Sequence, residues 1–178
     1  MIFILTGPVH SGKTTLLKKI SQKLKREELK IDGFLSESRW KDREIFGYDL
    51  LDLTEEKSYP YIRKVGERNW NSVGPFYFIP ETLAVAKQII KRAQNTDMCI
   101  IDEVGPLELT GKGIWLELKE SLLRTHPHYI LVVRITILEK FLTRINRKDV
   151  RVFDIQDKYT SDEMLKSLSL DQLRSRDS

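Results

Sequence analysis

The segment Gly7-Pro8-Val9-His10-Ser11-Gly12-Lys13-Thr14 satisfies the spacing G-x-x-x-x-G-K-[ST] in full. Glycines let the backbone curl around phosphate oxygens, and a helix opening at Lys13 aims its free N–H groups at them. Lys13 then reaches the β- and γ-phosphates of a nucleotide, and the Thr14 hydroxyl becomes a ligand for Mg²⁺. A second set follows the apolar run Met98-Cys99-Ile100-Ile101, which ends in Asp102-Glu103. Consecutive carboxylates suit the mouth of a buried strand, where they face a ligand, and not its interior. Asp102 is assigned to the metal, and Glu103 to the water that attacks the γ-phosphoryl group. His10 and Ser11 occupy loop positions that contribute backbone N–H groups, so neither side chain is assigned acid or base work.

Other candidates are weaker. Asp102-Glu103-Val104-Gly105 fits the D-x-x-G of guanine-nucleotide switches, and Asn146-Arg147-Lys148-Asp149 resembles their base-reading N-K-x-D. The latter should close an apolar strand, but Phe141–Ile145 has helical spacing and Arg147 replaces the lysine, so guanine specificity is rejected. Arg144, Arg147, Lys148 and Arg151 are equally compatible with stabilising a transferring phosphoryl group and with a solvated helix end. His126-Pro127-His128 has no third ligand at useful spacing and reads as a turn. Trp40 and Trp70 lie among Arg39, Lys41, Arg43, Arg63 and Lys64, a mixture used by single-strand nucleic-acid binders. A hairpin surface packed on a sheet is the preferred account, because strands are enriched in aromatics.

These residues need a scaffold. Ile2–Leu5 reads as a buried strand entering the phosphate loop, and Leu16, Leu17, Ile20 and Leu24 mark one face of the following helix. Strand patterns fill Ile31–Ser38, Ile45–Leu53 and Tyr59–Val65, and ten of the 16 aromatics fall in residues 34–78. With no Gly/Ser/Pro-rich linker around it, the stretch of about 31–79 is expected to be a β insertion in one domain spanning 1–178. Helical spacing after Pro80, a strand over Asp97–Asp102 and a helix over Ile114–Arg124 follow. Next come a strand over Tyr129–Arg134, a helix near Leu138–Asn146 and a strand over Val150–Ile155. Thr160-Ser161-Asp162-Glu163 is predicted to form a capping box for a last helix carrying Met164, Leu165 and Leu168. The alternation predicts an α/β layered sheet, mostly parallel, flanked by helices, with antiparallel strands from the insertion.

Composition agrees with this plan. The chain has 178 residues, a formal charge of +4 and 31% charged residues, a balance that fits a globular domain and not a duplex binder. Apolar runs of about five residues fall far below a membrane span. The chain opens directly into a strand, without a basic n-region or a cleavage site, and Cys99 is the only cysteine. A cytoplasmic protein without a disulfide is expected, a monomer by default.

The chain resembles the small P-loop nucleoside-triphosphatases of the thermophile THEP type, which have a human cancer-related counterpart. The resemblance rests on Gly7–Thr15, Asp32-Gly33-Phe34, Gly47-Tyr48-Asp49 and Val73-Gly74. It continues through Ile101-Asp102-Glu103-Val104-Gly105-Pro106-Leu107-Glu108-Leu109 and Asn146-Arg147-Lys148-Asp149-Val150. His10-Ser11 replaces the family's usual Gly-Val, and Pro106-Leu107 a Lys-Met pair. The resemblance implies a Rossmann-like sheet and Mg²⁺-dependent hydrolysis of ATP, GTP, CTP, UTP and TTP to the diphosphates. Gly7, Pro8, Val9, His10, Ser11, Gly12, Lys13, Thr14 and Thr15 would hold the phosphates, Asp102 the metal and Glu103 the water, with Gly105 beside them. Two rivals remain: a small-molecule or nucleotide kinase, which needs an acceptor hydroxyl, and a nucleotide-dependent switch that binds nucleic acid through the insertion.

Overall fold

The computed structural model describes residues 1–168. Its strands are β1 (Ile2–Thr6), β2 (Ile31–Lys41), β3 (Glu44–Asp52), β4 (Ser58–Arg63), β5 (Ser72–Val73), β6 (Phe76–Phe78), β7 (Met98–Val104), β8 (His128–Val133) and β9 (Val150–Asp154). The helices are α1 (Lys13–Arg26), α2 (Pro80–Arg92), α3 (Pro106–Leu109), α4 (Trp115–Leu122), α5 (Leu138–Ile145) and α6 (Thr160–Ser167). All nine strands form one sheet in the order β5-β6-β4-β3-β2-β7-β8-β1-β9. The pairs β2–β7, β7–β8, β8–β1 and β1–β9 are parallel. The pairs β2–β3, β3–β4, β4–β6 and β6–β5 are antiparallel.

The parallel strands are apolar almost throughout because helices cover both of their faces. Side chains alternate between those faces along each strand. Ile2 and Ile4 point into the layer formed with α2, α4 and α5, through Leu83, Ile90, Leu118 and Phe141. Phe3 and Leu5 point the other way, toward Leu17, Ile20 and Leu24 of α1 and Met164 of α6.

The β insertion grows out of a core strand. Residues Ile31–Phe34 of β2 pair in parallel with β7, and the strand then runs on as the partner of β3 as far as Lys41. The β2–β3 hairpin closes on Asp42 and Arg43, both at positive φ, as a tight two-residue turn requires. Arg92 fastens the far end of β3 to the core. Its guanidinium donates to Asp32 at 2.6 and 2.7 Å and to Asp52 at 2.8 Å, and both carboxylates are buried.

Two expectations are corrected. Thr160 does not cap the last helix. It is the first helical residue, Tyr159 is the cap, and the Thr160 hydroxyl donates to the Asp154 carbonyl, tying α6 to β9. The four-residue α3 was not anticipated, since its Pro-Leu-Glu-Leu is too short to show a helical period. Met164 of α6 and Leu168, the residue that follows α6, are buried in the core, with Leu165 packed against it, and residues 169–178 lie outside the described residues. Among the described residues no helix is long and apolar enough to cross a membrane.

Candidate active site

The site forms where the parallel strands end, the place at which open α/β sheets hold ligands. β1 delivers Thr6 into the loop, and the Thr6 hydroxyl donates to the Val133 carbonyl at 2.9 Å, locking the exits of β1 and β8 together. Gly12 caps α1 at φ +92°, a left-handed conformation that glycine adopts without steric cost. A side chain there would meet no atom within 4 Å, so the requirement is conformational. Lys13 follows, buried, with its ammonium donating to the carbonyls of Gly7 at 3.2 Å and Pro8 at 2.5 Å and to the Ser11 hydroxyl at 3.3 Å. Burial lowers its pKa, against the pull of Glu103 and Asp102.

β7 brings the acids. Its pairing with β8 runs from Ile101↔Leu131 directly to Val104↔Val133, so Asp102 and Glu103 together oppose the single residue Val132. This is a bulge, and bulges re-aim side chains next to active sites. Asp102 turns inward, accepting from the Thr14 hydroxyl at 2.6 Å and the Ser36 N–H at 3.4 Å. Burial pushes its carboxyl up to about 7, opposed by the Thr14 bond and reinforced by the neighbouring Glu103 charge. Glu103 stays half-exposed and is paired with the guanidinium of Arg134.

The Thr14 hydroxyl and the Asp102 carboxylate are hard oxygen donors in contact, the set that Mg²⁺ prefers. A carboxylate this costly to ionise in the dry interior suits a cation's charge beside it. Among the described residues no three His, Cys, Asp or Glu gather into a metal cage. A cation bound here would complete its ligands from phosphate oxygens and water.

Arg134 is the site residue that the sequence reading did not assign. The signal was available, because Arg134 directly follows an apolar strand just as Asp102 ends one. Arg144, Arg147 and Arg151 hold other partners. Arg147 pairs with Asp149 and donates to the carbonyls of Leu122 and Arg124, at the opposite end of the sheet, where Asp149 also meets the N-terminal ammonium. Arg144 packs over the Trp115 ring at 4.2 Å and bonds the Leu109 carbonyl. Arg151 reaches Ser167. Asn146 caps the C-terminal end of α5 in a left-handed conformation. The His126–Pro127 turn leads into β8, and His128 is buried with its Nδ1 3.0 Å from the N-terminal nitrogen.

Trp40 also departs from expectation. It does not pack on the sheet but is 58% exposed. A register shift between Arg39 and Trp40 turns it out of the hairpin face, and its ring lies 5.9 Å from that of His10 in the phosphate loop. Trp40, Tyr48, Ile62, Val73 and Phe78 form one wall of a cleft of about 550 Å³, facing the phosphate loop, Asp102, Glu103 and Arg134.

Glu108 closes the floor. It accepts from the Gly105 N–H at 2.8 Å and the Ile114 N–H at 3.4 Å. Burial nevertheless outweighs these bonds and pushes its carboxyl up from the ordinary 4.5 to about 7. Between those values the folded protein keeps a proton that the unfolded chain has released. Stability is therefore lost as pH rises from about 4.5 through 7, and it remains lower above that. Glu108→Gln is expected to flatten this dependence. Urea midpoints at about pH 5 and pH 8 check it: an equal drop in wild type and variant would show that Glu108 does not carry the slope.

This arrangement is a glycine-rich loop at the start of α1 facing the buried acid Asp102 and the second acid Glu103 across a cleft. A family model described as NTPase matches residues 2–167. The chain belongs to the NTPase family. It is therefore a nucleoside-triphosphatase and a hydrolase. Curated NTPase relatives include the nucleoside-triphosphatase THEP1 of Metallosphaera sedula, 32% identical over 152 residues and covering 83% of this chain and 81% of the relative. THEP1 of Thermotoga sp. strain RQ2 is 27% identical over 161 residues, covering 89% and 88%. The fold is shared with the crystal structure of THEP1 from Aquifex aeolicus, with a TM-score of 0.75 at 23% identity, covering 95% of this chain and 97% of that one. It is also shared with the solution structure of a human cancer-related nucleoside triphosphatase, with a TM-score of 0.72 at 24% identity and 93% of each chain.

Proposed function

We propose that this NTPase cleaves the terminal phosphoanhydride of nucleoside triphosphates in a Mg²⁺-dependent reaction, releasing diphosphate and phosphate with little preference among bases. The observation that carries the reading is the 2.6 Å contact between the Thr14 hydroxyl and the Asp102 carboxylate. It joins the phosphate loop to the acid of β7 at a single point, with Glu103 next in the chain.

The loop N–H groups from Val9 to Thr15 and the start of α1 hold the β-phosphate. Lys13 exchanges its loop carbonyls for oxygens of the β- and γ-phosphates, a stronger charge-assisted set. Bound Mg²⁺, held by Thr14 and Asp102, would neutralise charge on the phosphate oxygens. Glu103 orients a water for in-line attack and accepts its proton. Arg134, held at the mouth by Glu103, meets the negative charge of the transferring group. Among the assigned groups none reads a base edge, which supports broad specificity. The buried, single cysteine suits a reducing compartment, and we place the reaction in the cytoplasm.

Phosphate release from ATP, GTP, CTP, UTP and TTP, with and without Mg²⁺ and with no acceptor present, tests the reading. Comparable release from all five that disappears on chelation is expected. No release from any would overturn it. Asp102→Asn removes a charge from the cation site and is expected to raise the Mg²⁺ concentration for half-maximal rate by about tenfold or more, in line with the loss of a charged ligand. An unchanged Mg²⁺ dependence would move the metal's protein contact away from Asp102.

A further inference from the structure

Hydrolysis needs room for one water beyond the γ-phosphate, a volume of about 30 Å³. The cleft holds about 550 Å³, and an adjoining hollow of about 580 Å³ shares Trp40, Tyr48, Ile62, Val73 and Phe78 with it. This is the range of small-molecule sites. The surplus lies on one side. The phosphate loop follows β1, the acids end β7 two places along the sheet, and the insertion lies beyond. Among the described residues, neither hollow is lined by β9 or α6 on the other flank. In-line transfer places the nucleophile opposite the leaving diphosphate, and the diphosphate stays in the cradle of the loop. The part of the cleft walled by the insertion, away from the loop that holds the phosphates, therefore lies behind the nucleophile.

We propose that this space is the site of a second substrate, a nucleoside-sized planar heteroaromatic alcohol, whose hydroxyl takes the γ-phosphoryl group in place of water. The inference rests on the assignment of Lys13, Asp102 and Glu103 above. Its distinguishing feature is the wall. Trp40, 58% exposed and with its indole N–H donating to the Ser38 hydroxyl at 3.1 Å, faces His10 across the mouth of the cleft. Behind it the aromatics are braced edge to face, Tyr48 on Phe76 at 5.7 Å and Tyr61 on Phe78 at 5.5 Å. Such a surface accepts a flat ring by stacking and tolerates different rings, because each has a π-face. The cations of the wall are already paired, Arg39 and Arg63 with Asp49 and Lys64 with Glu44. The wall therefore suits an uncharged ring and not a second polyphosphate.

The chemistry balances with the groups present. The hydroxyl oxygen forms a bond to the γ-phosphorus. The bond from that phosphorus to the β–γ bridging oxygen breaks, its electron pair leaving with the nucleoside diphosphate. The hydroxyl proton passes to Glu103.

The test uses the full chain with Mg²⁺ and ATP labelled in the γ-phosphoryl group. Adenosine, cytidine, guanosine, uridine or a 5′-hydroxyl oligonucleotide is added in separate arms, and one arm has no acceptor. The acceptor-free arm reads hydrolysis alone, so its failure and a failure of transfer are told apart. Label in a phosphate ester of at least one nucleoside is expected. In Trp40→Ala the ratio of ester to free phosphate is expected to fall tenfold or more. No ester from any nucleoside, or a ratio unchanged in Trp40→Ala, would overturn the proposal. Label passing only to a 5′-hydroxyl oligonucleotide would overturn it in favour of a polynucleotide site. A tenfold rise in the KM for ATP in Trp40→Ala would instead seat the nucleobase of the triphosphate against the wall, and would overturn it equally.

Discussion

Lys13→Ala is expected to reduce triphosphate hydrolysis by roughly 10²–10³-fold, the usual cost of removing one preorganised donor from a developing negative charge. The ammonium is buried at the base of the loop and, among the described residues, is bonded to groups of the loop itself, the carbonyls of Gly7 and Pro8 and the hydroxyl of Ser11. Those bonds hold it where a β- or γ-phosphate oxygen can replace the carbonyls. Charged hydrogen bonds contribute about 1.5–3 kcal/mol each, so triphosphate affinity should fall by roughly tenfold or more as well. The fold should persist, because the strand and helix on either side of the loop are anchored by Phe3, Leu5, Leu17 and Ile20 in the core. Thermal denaturation beside a rate and a binding titration separates these effects. Activity within twofold of wild type would remove the phosphate loop from the mechanism.

A different pattern is expected for Glu103→Gln. If Glu103 acts on water only in the transition state, the rate falls by about 10²–10⁴-fold, the range of general-base assistance. Affinity for a non-hydrolysable triphosphate stays within about threefold, since ground-state contacts are retained. The amide has the same shape and keeps an acceptor for Arg134, whose guanidinium is bonded to the Glu103 carboxylate. Parallel loss of rate and affinity would make Glu103 a binding or folding residue. With neither lost, Glu108 is the next acid to consider, although its carboxylate is committed to the N–H groups of Gly105 and Ile114.

Local signals carried most of the scaffold. Parallel strands buried on both faces leave continuous apolar runs, so Ile2–Leu5, Met98–Ile101 and Tyr129–Val133 were visible as strands at once. The helical period of α1 and α2 was equally plain, and glycine and lysine spacing marked the phosphate loop because its geometry admits few residue types. A four-residue helix such as α3 has no period to read. The Thr160 motif failed because the hydroxyl found the Asp154 carbonyl of a neighbouring strand, a partner that no local pattern contains.

What the chain's order determined is therefore the set of longer elements, without the short α3, β5 and β6, together with the acid and phosphate motifs. What only the tertiary structure decided is which charges meet. Sequence spacing left Arg144, Arg147, Lys148 and Arg151 open between a phosphoryl contact and a solvated helix end, and Arg144, Arg147 and Arg151 are each bonded to other partners in the fold. Arg134 reaches Glu103 across 31 residues because β8 lies beside β7 in the sheet, a neighbour relation set by strand order. Likewise Trp40 turned out of the hairpin face through a register shift, and register arises from pairing between strands and not from the residues of one strand. Periodicity reports how an element meets its own core. Contacts between charges at strand ends depend on which strands stand side by side, and that is settled only when the whole sheet closes its hydrophobic layers.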